Sequence, residues 1–372
     1  MSSPLGDCEK LDVDFTFAVR SKTGKYFIGR QIVDGLGARL GEIWYWRYRS
    51  RRVPVGFIAQ QIDRLQNREA RLRSKTDSVA DRLLRRPKRR TLHLDPLSVT
   101  YTHIAPHDIV LSHDMGPLTH PELFYRFVER VYRHSYNRIA AVGPHMVFVS
   151  EASRDAFFAQ FPHAAPRSVT VIYPPLRVNR DLHTVTMPAS VPGRFILTVG
   201  AMGARKSQLT AIHGYARSGL YARGISYVLC GSNEMGSDHV RAAAASTPGV
   251  HLLDYVSDAK LAWLYQNCEA FVLTSLLEGF GMPIAEAMHT GAIPILSRSS
   301  VLEEVAGSGG LFVDPMDAQS IATAMTELAH MSQDEKARRR DLLERSLRRF
   351  TDEAFNDQWR DVIDRALRSR TA

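Results

Sequence analysis

Between residues 194 and 297, short continuous apolar runs alternate with stretches of helical periodicity, and that rhythm excludes most folds. The runs are RFILTVGA (194–201), SYVLCG (226–231), VHLLD (250–254), AFVLTS (270–275) and AIPILS (292–297). Helical patterns separate them over 207–217, over the alanine-rich 238–246, over 257–267 with apolar Leu261, Leu264 and Tyr265, and from Pro283 onward. Apolar runs this short, without polar alternation, are strands covered on both faces. Strands separated by helices of this length pair in parallel. The pattern therefore predicts a doubly wound α/β domain.

The N-terminal half repeats the rhythm less cleanly. Strands are predicted at 14–19, 41–48, 91–94, 108–112, 145–150 and 168–176, with helices in GKYFIGRQIVDGLGARL, over 61–86 and from Glu151. Pro174 and Pro175 stop the last strand. At 372 residues the chain is too long for a typical single domain. The expected organisation is an N-terminal Rossmann-like domain (1–180), a linker at 177–192, a C-terminal Rossmann-like domain (190–350), and a last helix (351–372) that packs back toward the N-terminal domain. Two tail helices are expected, the first opened by a Ser332-x-x-Glu335 capping box.

No apolar run approaches the roughly 20 residues that span a bilayer, and MSSPLGDCEKLDVDF has neither the basic start nor the apolar core of a signal peptide. Cys8, Cys230 and Cys268 are too scattered for a disulfide framework or a zinc site. The expected location is therefore the cytoplasm, with the protein soluble or peripheral on the inner face of the plasma membrane. Its formal charge of +9 is uneven: residues 47–90 carry an excess of +11, and the rest of the chain sums to −2. Such a stretch, with Arg82, Arg85, Arg86, Arg89 and Arg90 at its end, attracts polyanions or anionic lipid, or is a solvated insertion.

In open α/β sheets, ligands bind beyond the carboxyl ends of the strands, and two loops are conspicuous there. GAMGARKSQ (200–208) opens with Gly200 and adds Arg205 and Lys206 before a helix, a combination suited to a diphosphate but common on solvated surfaces too. LEGFGMPIAEAMHTG (277–291) puts Gly279, Phe280, Gly281 and Met282 in a turn flanked by Glu278 and Glu286. In isolation Glu286 reads as a macrodipole partner and Glu278 as a solvated loop residue. LSHDMGPLTHPE (111–122) ends another strand with His113, Asp114 and His120, in an ordinary turn or near a ligand. His103 and His107 read as surface residues and His145 as structural.

The segment EGFGMPIAEA resembles the E-x7-E motif of the retaining glycosyltransferases of family four, also known as glycosyl transferases group 1. The likeness extends to LTVGAMGARKSQLTAIHGYA, to LEEVAGSGGLFVDPMD (302–317), and to FVSEASRDAF and VTVIYPPL, strongly from about 190 to 320 and more loosely before 145. It implies a GT-B fold: two facing Rossmann-like domains with a deep interdomain cleft. It implies that Glu278 contacts hydroxyls of the donor sugar and Glu286 the ribose hydroxyls. Backbone amides of Gly279, Phe280, Gly281 and Met282 would lie against sugar and phosphate, and Arg205 and Lys206 would hold the diphosphate as a metal does elsewhere. Gly24 resembles the glycine loop that reaches the diphosphate from the other domain, and His113 is the candidate for positioning the sugar.

The activity so implied is a hexosyl transfer, with mannose the first expectation, from a nucleotide-sugar to a lipid-linked oligosaccharide or glycan in bacterial surface-polysaccharide assembly. GDP-mannose is the favoured donor and a UDP-hexose the next, with no cofactor, no metal and no nucleic-acid partner. The basic segment would dock on anionic membrane. Anomeric configuration would be retained by front-face displacement, so the glutamates are not a glycosidase dyad. A sugar-nucleotide epimerase shares the architecture but needs acid/base carboxylates in the cleft. A nucleic-acid-binding protein would interleave aromatics with its arginines, and few follow Tyr48.

Overall fold

The computed structural model describes residues 10–19, 24–75, 84–177, 186–187, 191, 193–254, 256–298 and 300–368. The chain divides into two units, one of Met1–Pro175 with Asp352–Ala372 and the other of Leu176–Thr351. Most of the expected linker at 177–192 lies outside the described residues.

The first unit runs β1 (Leu11–Asp14), α1 (Gly24–Leu36), β2 (Leu40–Tyr45), β3 (Tyr48–Arg49), α2 (Gly56–Arg73), β4 (Thr91–His93), β5 (Ile109–Ser112), α3 (Gly116–Thr119), α4 (Arg126–Val142), β6 (His145–Phe148), α5 (Glu151–Gln160) and β7 (Ser168–Val171). Its sheet has the order β3-β2-β1-β4-β5-β6-β7. All pairs are parallel except β2 with β3. The strand expected over 14–19 ends at Asp14. There the carboxylate accepts from Thr16 N (3.2 Å) and Thr16 Oγ1, bending the chain into a 3₁₀ turn over Thr16–Val19. The strand expected over 41–48 likewise breaks at Trp46, whose φ of 62° turns it back as β3.

The core of this unit packs Tyr132, Tyr136 and Ile139 of α4 against Val110, Met146 and Phe148 of the sheet and Phe157 of α5. Each such side chain, fully withdrawn from water, contributes about 1.5–3 kcal/mol. α4 has no counterpart among the predicted elements. It ends where Gly143, at φ 66°, donates its N–H to Ile139 O.

The second unit continues with β8 (Arg194–Val199), α6 (Gln208–Ser218), β9 (Ile225–Cys230), α7 (Ser237–Ser246), β10 (Val250–Leu253), α8 (Asp258–Asn267), β11 (Ala270–Leu273), α9 (Met282–His289), β12 (Ile293–Ser297), α10 (Val301–Ala306), β13 (Leu311–Val313), α11 (Ala318–His330) and α12 (Gln333–Leu347). Its sheet is wholly parallel, in the order β10-β9-β8-β11-β12-β13. β8 and β11 are neighbours, and the chain winds outward from them in both directions. The crevice beyond their carboxyl ends is the topological switch point, where ligands of such sheets sit.

Ser332 caps α12 by accepting Glu335 N at 3.2 Å. Glu335 does not complete the expected capping box, because its carboxylate turns instead to Arg338 and Arg339. The final helix, α13 (Asp352–Arg368), belongs to the first unit. Its Asp352 accepts from Gln31 at 2.9 Å, its Asp364 pairs with Arg39, and its Leu367 carbonyl accepts from Arg90.

The basic segment differs from the single exposed helix expected over 61–86. α2 spans Gly56–Arg73, and the part of the expected helix at 76–83, including Arg82, lies outside the described residues. Beyond it, Arg85 is buried on the fully buried Asp14 at 2.6 Å, Arg89 pairs with Asp12 at 3.3 Å, and Arg90 caps α13. Three of the five arginines expected to face a polyanion are therefore structural partners within the unit, because the strand-end carboxylates need counter-charges once buried.

Candidate active site

Both conspicuous loops leave neighbouring strands at the switch point: 200–207 follows β8, and 274–281 follows β11. The first holds a 3₁₀ turn, Ala204–Lys206, and then Ser207 at φ 49°, an uncommon left-handed conformation for a non-glycine residue. The two loops are joined by Leu276 N, which donates to Arg205 O at 2.9 Å. Gly281, the residue before α9, takes φ 90°. A Cβ there would lie 2.9 Å from Ile284 Cδ1 and 3.0 Å from Leu302 Cδ2, so only glycine makes this turn at low cost. Pro283 occupies the first helical turn, where its missing N–H costs nothing.

Glu278 is the centre of the arrangement. Its Oε1 receives the Lys206 ammonium and the Ser275 hydroxyl (2.7 Å), and its Oε2 lies 3.9 Å from Arg205 Nη1. Burial alone would push this carboxyl up. Lys206, Arg205 and the Ser275 bond together outweigh burial and hold it below its ordinary value. Arg205 also donates Nη1 to Leu277 O (3.3 Å) and Nη2 to both oxygens of Glu234, at 3.1 and 3.2 Å. Two cations thus share one motif carboxylate, which leaves the loop pair suited to an anion.

Glu286 lies one turn into α9, beside the Tyr265 hydroxyl of α8. Thr290 Oγ1 ties the two helices by donating to Tyr265 O at 2.9 Å. Burial raises the Glu286 carboxyl to about 7, against the opposing pull of Tyr265 and Arg177. At neutral pH it is poised between its two protonation states, a state that clusters at functional sites. Phe280 turns its side chain inward, edge-on to Phe350 at 5.1 Å, so its ring is structural and only its backbone faces the loop.

The fold thus brings together Gly200, Arg205, Lys206, Glu278, Gly279, Phe280, Gly281, Met282 and Glu286 within the second unit. Gly24 and His113 belong to the first. Gly24 is the first residue of α1. His113 follows β5 and is buried, with Nε2 2.9 Å from Leu94 O. A carbonyl only accepts, so Nε2 carries the proton. Burial, reinforced by Lys25, lowers this imidazole to about 4 and keeps it neutral. His145 opens β6 with Nδ1 on Ser168 Oγ (2.7 Å), and His103 is exposed. Sequence reasoning missed Ser275 and Glu234. The signal for Glu234 was its place in GSNEMG, a third loop at the same end of the sheet, after β9.

Two doubly wound sheets, with a basic loop and a Glu-x7-Glu loop at the switch point of the second, are the marks of the GT-B class of glycosyltransferase. Residues 188–344, which lie within the second unit, match the family described as glycosyl transferases group 1. It is 27% identical over 229 residues to O-antigen chain mannosyltransferase B of Escherichia coli, covering 58% of this chain and 59% of that protein. It is 28% identical over 151 residues to the GDP-mannose:cellobiosyl-diphosphopolyprenol alpha-mannosyltransferase of Komagataeibacter xylinus, covering 37% and 38%. The chain thus spans less than two thirds of the length of these relatives. HepE from Anabaena, solved in complex with UDP and glucose, shares the fold with a TM-score of 0.64 at 16% identity, over 96% of this chain and 100% of that one.

Proposed function

We propose that the protein is a retaining mannosyltransferase that moves mannose from GDP-mannose to a lipid-linked oligosaccharide or growing glycan in surface-polysaccharide assembly. The observation that carries this reading is the pairing of Lys206 and Arg205 with Glu278 at the switch point. The relatives named above, both mannosyltransferases, favour mannose as the sugar.

In this mechanism Arg205 and Lys206 hold the donor diphosphate and stabilise the charge that grows on it as the bond from the sugar C1 breaks. They do so without a metal. Glu278 accepts from sugar hydroxyls, and Glu286 from the ribose hydroxyls. The acceptor oxygen joins C1 on the face the phosphate leaves, and the acceptor's proton passes to the departing phosphate oxygen. Glu278 is a poor nucleophile here, because its charge is already committed to Lys206 and Ser275.

The reading extends to an anionic membrane surface. One side of α2 exposes Phe57, Ile58, Leu65 and Leu72 beside Arg64, Arg68 and Arg71, while Ile62, Gln66 and Arg73 face inward. A helix with apolar and basic residues sharing its outer face suits an interface rich in anionic lipid. No helix among the described residues is long and apolar enough to cross a membrane.

The test is a thermal-shift comparison of GDP-mannose with UDP- and dTDP-hexoses, followed by transfer to lipid extracts with and without EDTA. Stabilisation by GDP-mannose and EDTA-insensitive transfer with retained configuration are expected. Preferential stabilisation by a UDP-hexose would overturn the donor. Conversion of the nucleotide-sugar to its epimer without acceptor would favour the epimerase.

A further inference from the structure

The loop after β9 is stitched to the basic loop by main-chain bonds. Met202 N donates to Ser232 O (2.7 Å), Glu234 N to Met202 O (2.8 Å), and Ala204 N to Met235 O (3.0 Å). The two backbones approach so closely that a Cβ on Gly203 would lie 2.8 Å from Met235 O and 2.9 Å from Glu234 Cβ. The position of Glu234 relative to Arg205 is therefore fixed by backbone, and the carboxylate itself is not needed to hold the loops together. What the carboxylate does is take Arg205 Nη2 with both of its oxygens, at 3.1 and 3.2 Å. It does so on the more exposed flank of the guanidinium: the Glu234 side chain is 41% exposed, against 9% for Glu278 on the other flank.

We infer that Glu234 is a displaceable counter-anion for the phosphate site. It occupies the guanidinium edge that a diphosphate would take, yields it when the nucleotide binds, and reclaims it as the nucleoside diphosphate leaves. Carboxylate and phosphate compete for the same N–H donors, and both Glu234 oxygens sit on Nη2, so a phosphate can take that nitrogen only by displacing the carboxylate. Without Glu234, the empty site would hold two adjacent cations against one motif carboxylate. With it, the hold on the leaving nucleotide is weakened at product release, a step that limits the rate of many enzymes. This inference rests on the proposed role of Arg205 at the diphosphate.

The experiment is calorimetric titration of the full chain and of Glu234→Gln with GDP, UDP and inorganic pyrophosphate. The variant is expected to bind each nucleotide that the parent binds, and pyrophosphate, about two- to fivefold more tightly, the size of a part-exposed ion pair. The gain is expected to vanish when Arg205→Ala is present in both proteins. In turnover, KM for the donor and kcat should fall together. Unchanged or weaker diphosphate binding in Glu234→Gln overturns the inference, as does a gain that survives Arg205→Ala. If the variant's unfolding midpoint shifts, Glu234→Ser provides the same comparison. A parent protein that binds neither nucleotide nor pyrophosphate overturns the reading of the phosphate site itself, and this inference with it.

Discussion

Lys206 and Glu278 meet as an ion pair in which each side chain is less than a tenth exposed, although 72 residues separate them. Removing either partner strands the other as a buried charge, which costs about 3–5 kcal/mol. The two losses should differ. Lys206→Met leaves Glu278 with Ser275 and with Arg205 3.9 Å away, whereas Glu278→Gln leaves the buried Lys206 facing a neutral amide while Arg205 keeps Glu234. Urea unfolding should therefore rank Glu278→Gln below Lys206→Met, and each should lower turnover by at least about 100-fold. Combining Lys206→Met with Glu278→Leu should restore most of the stability and none of the transfer. Near-normal transfer in either single variant would refute the site.

Glu286 gives a pH dependence of opposite sign to the usual carboxylate. Its folded value of about 7 lies above the ordinary 4.5, so the native protein holds a proton that the unfolded chain has released between those limits. Stability should fall as pH rises from about 4.5 to about 7 and level off above, and Glu286→Gln should flatten that slope. Ligand affinity should run the other way, because ribose hydroxyls donate to the charged form. GDP binding should tighten as pH rises through 7, while 2′,3′-dideoxy-GDP should show no such response. Equal pH profiles for the two nucleotides would remove Glu286 from the ribose.

How much of this was legible depended on whether the signal was local. Five of the six strands of the second unit were, because buried parallel strands are unbroken apolar runs, whereas the three-residue β13 was too short to stand out. The Glu278–Glu286 loop was legible for the same reason, being one strand, one turn and one helix start. α4 was not, because its buried stripe of Val131, Tyr132, Ser135, Tyr136 and Ile139 includes a serine and sits among arginines and histidines. Glu234 was not either, since its contact with Arg205 crosses 29 residues and depends on the lateral pairing of β8 with β9. The arginines at 85, 89 and 90 looked like a polyanion patch because sequence does not reveal that Asp12 and Asp14 are buried.

Gly281→Ala tests the turn alone. The alanine would have to hold φ near 90° and push against Ile284 and Leu302, so a stability loss of about 1–3 kcal/mol is expected. Because the α9 amides shift with the turn, nucleotide affinity should fall as well, measurable by titration under conditions where the variant remains folded. Unchanged affinity would separate the turn from the ligand.

The outer face of α2 makes a prediction that distinguishes docking arginines from structural ones. Arg64, Arg68 and Arg71 are exposed, and each basic residue near an anionic surface contributes about 1 kcal/mol. Replacing all three with glutamine should cut binding to anionic vesicles by about 100-fold, with only a small drop in the unfolding midpoint from the lost stacking of Arg71 on Phe127. Phe57→Ser with Leu72→Ser should weaken binding and leave what remains more dependent on salt, because it removes apolar insertion and leaves the screened attraction intact. Arg85→Gln should do the reverse, lowering stability through the stranded Asp14 while the folded fraction still binds vesicles. If the triple α2 variant binds vesicles as the parent does, the membrane is not the partner of this face.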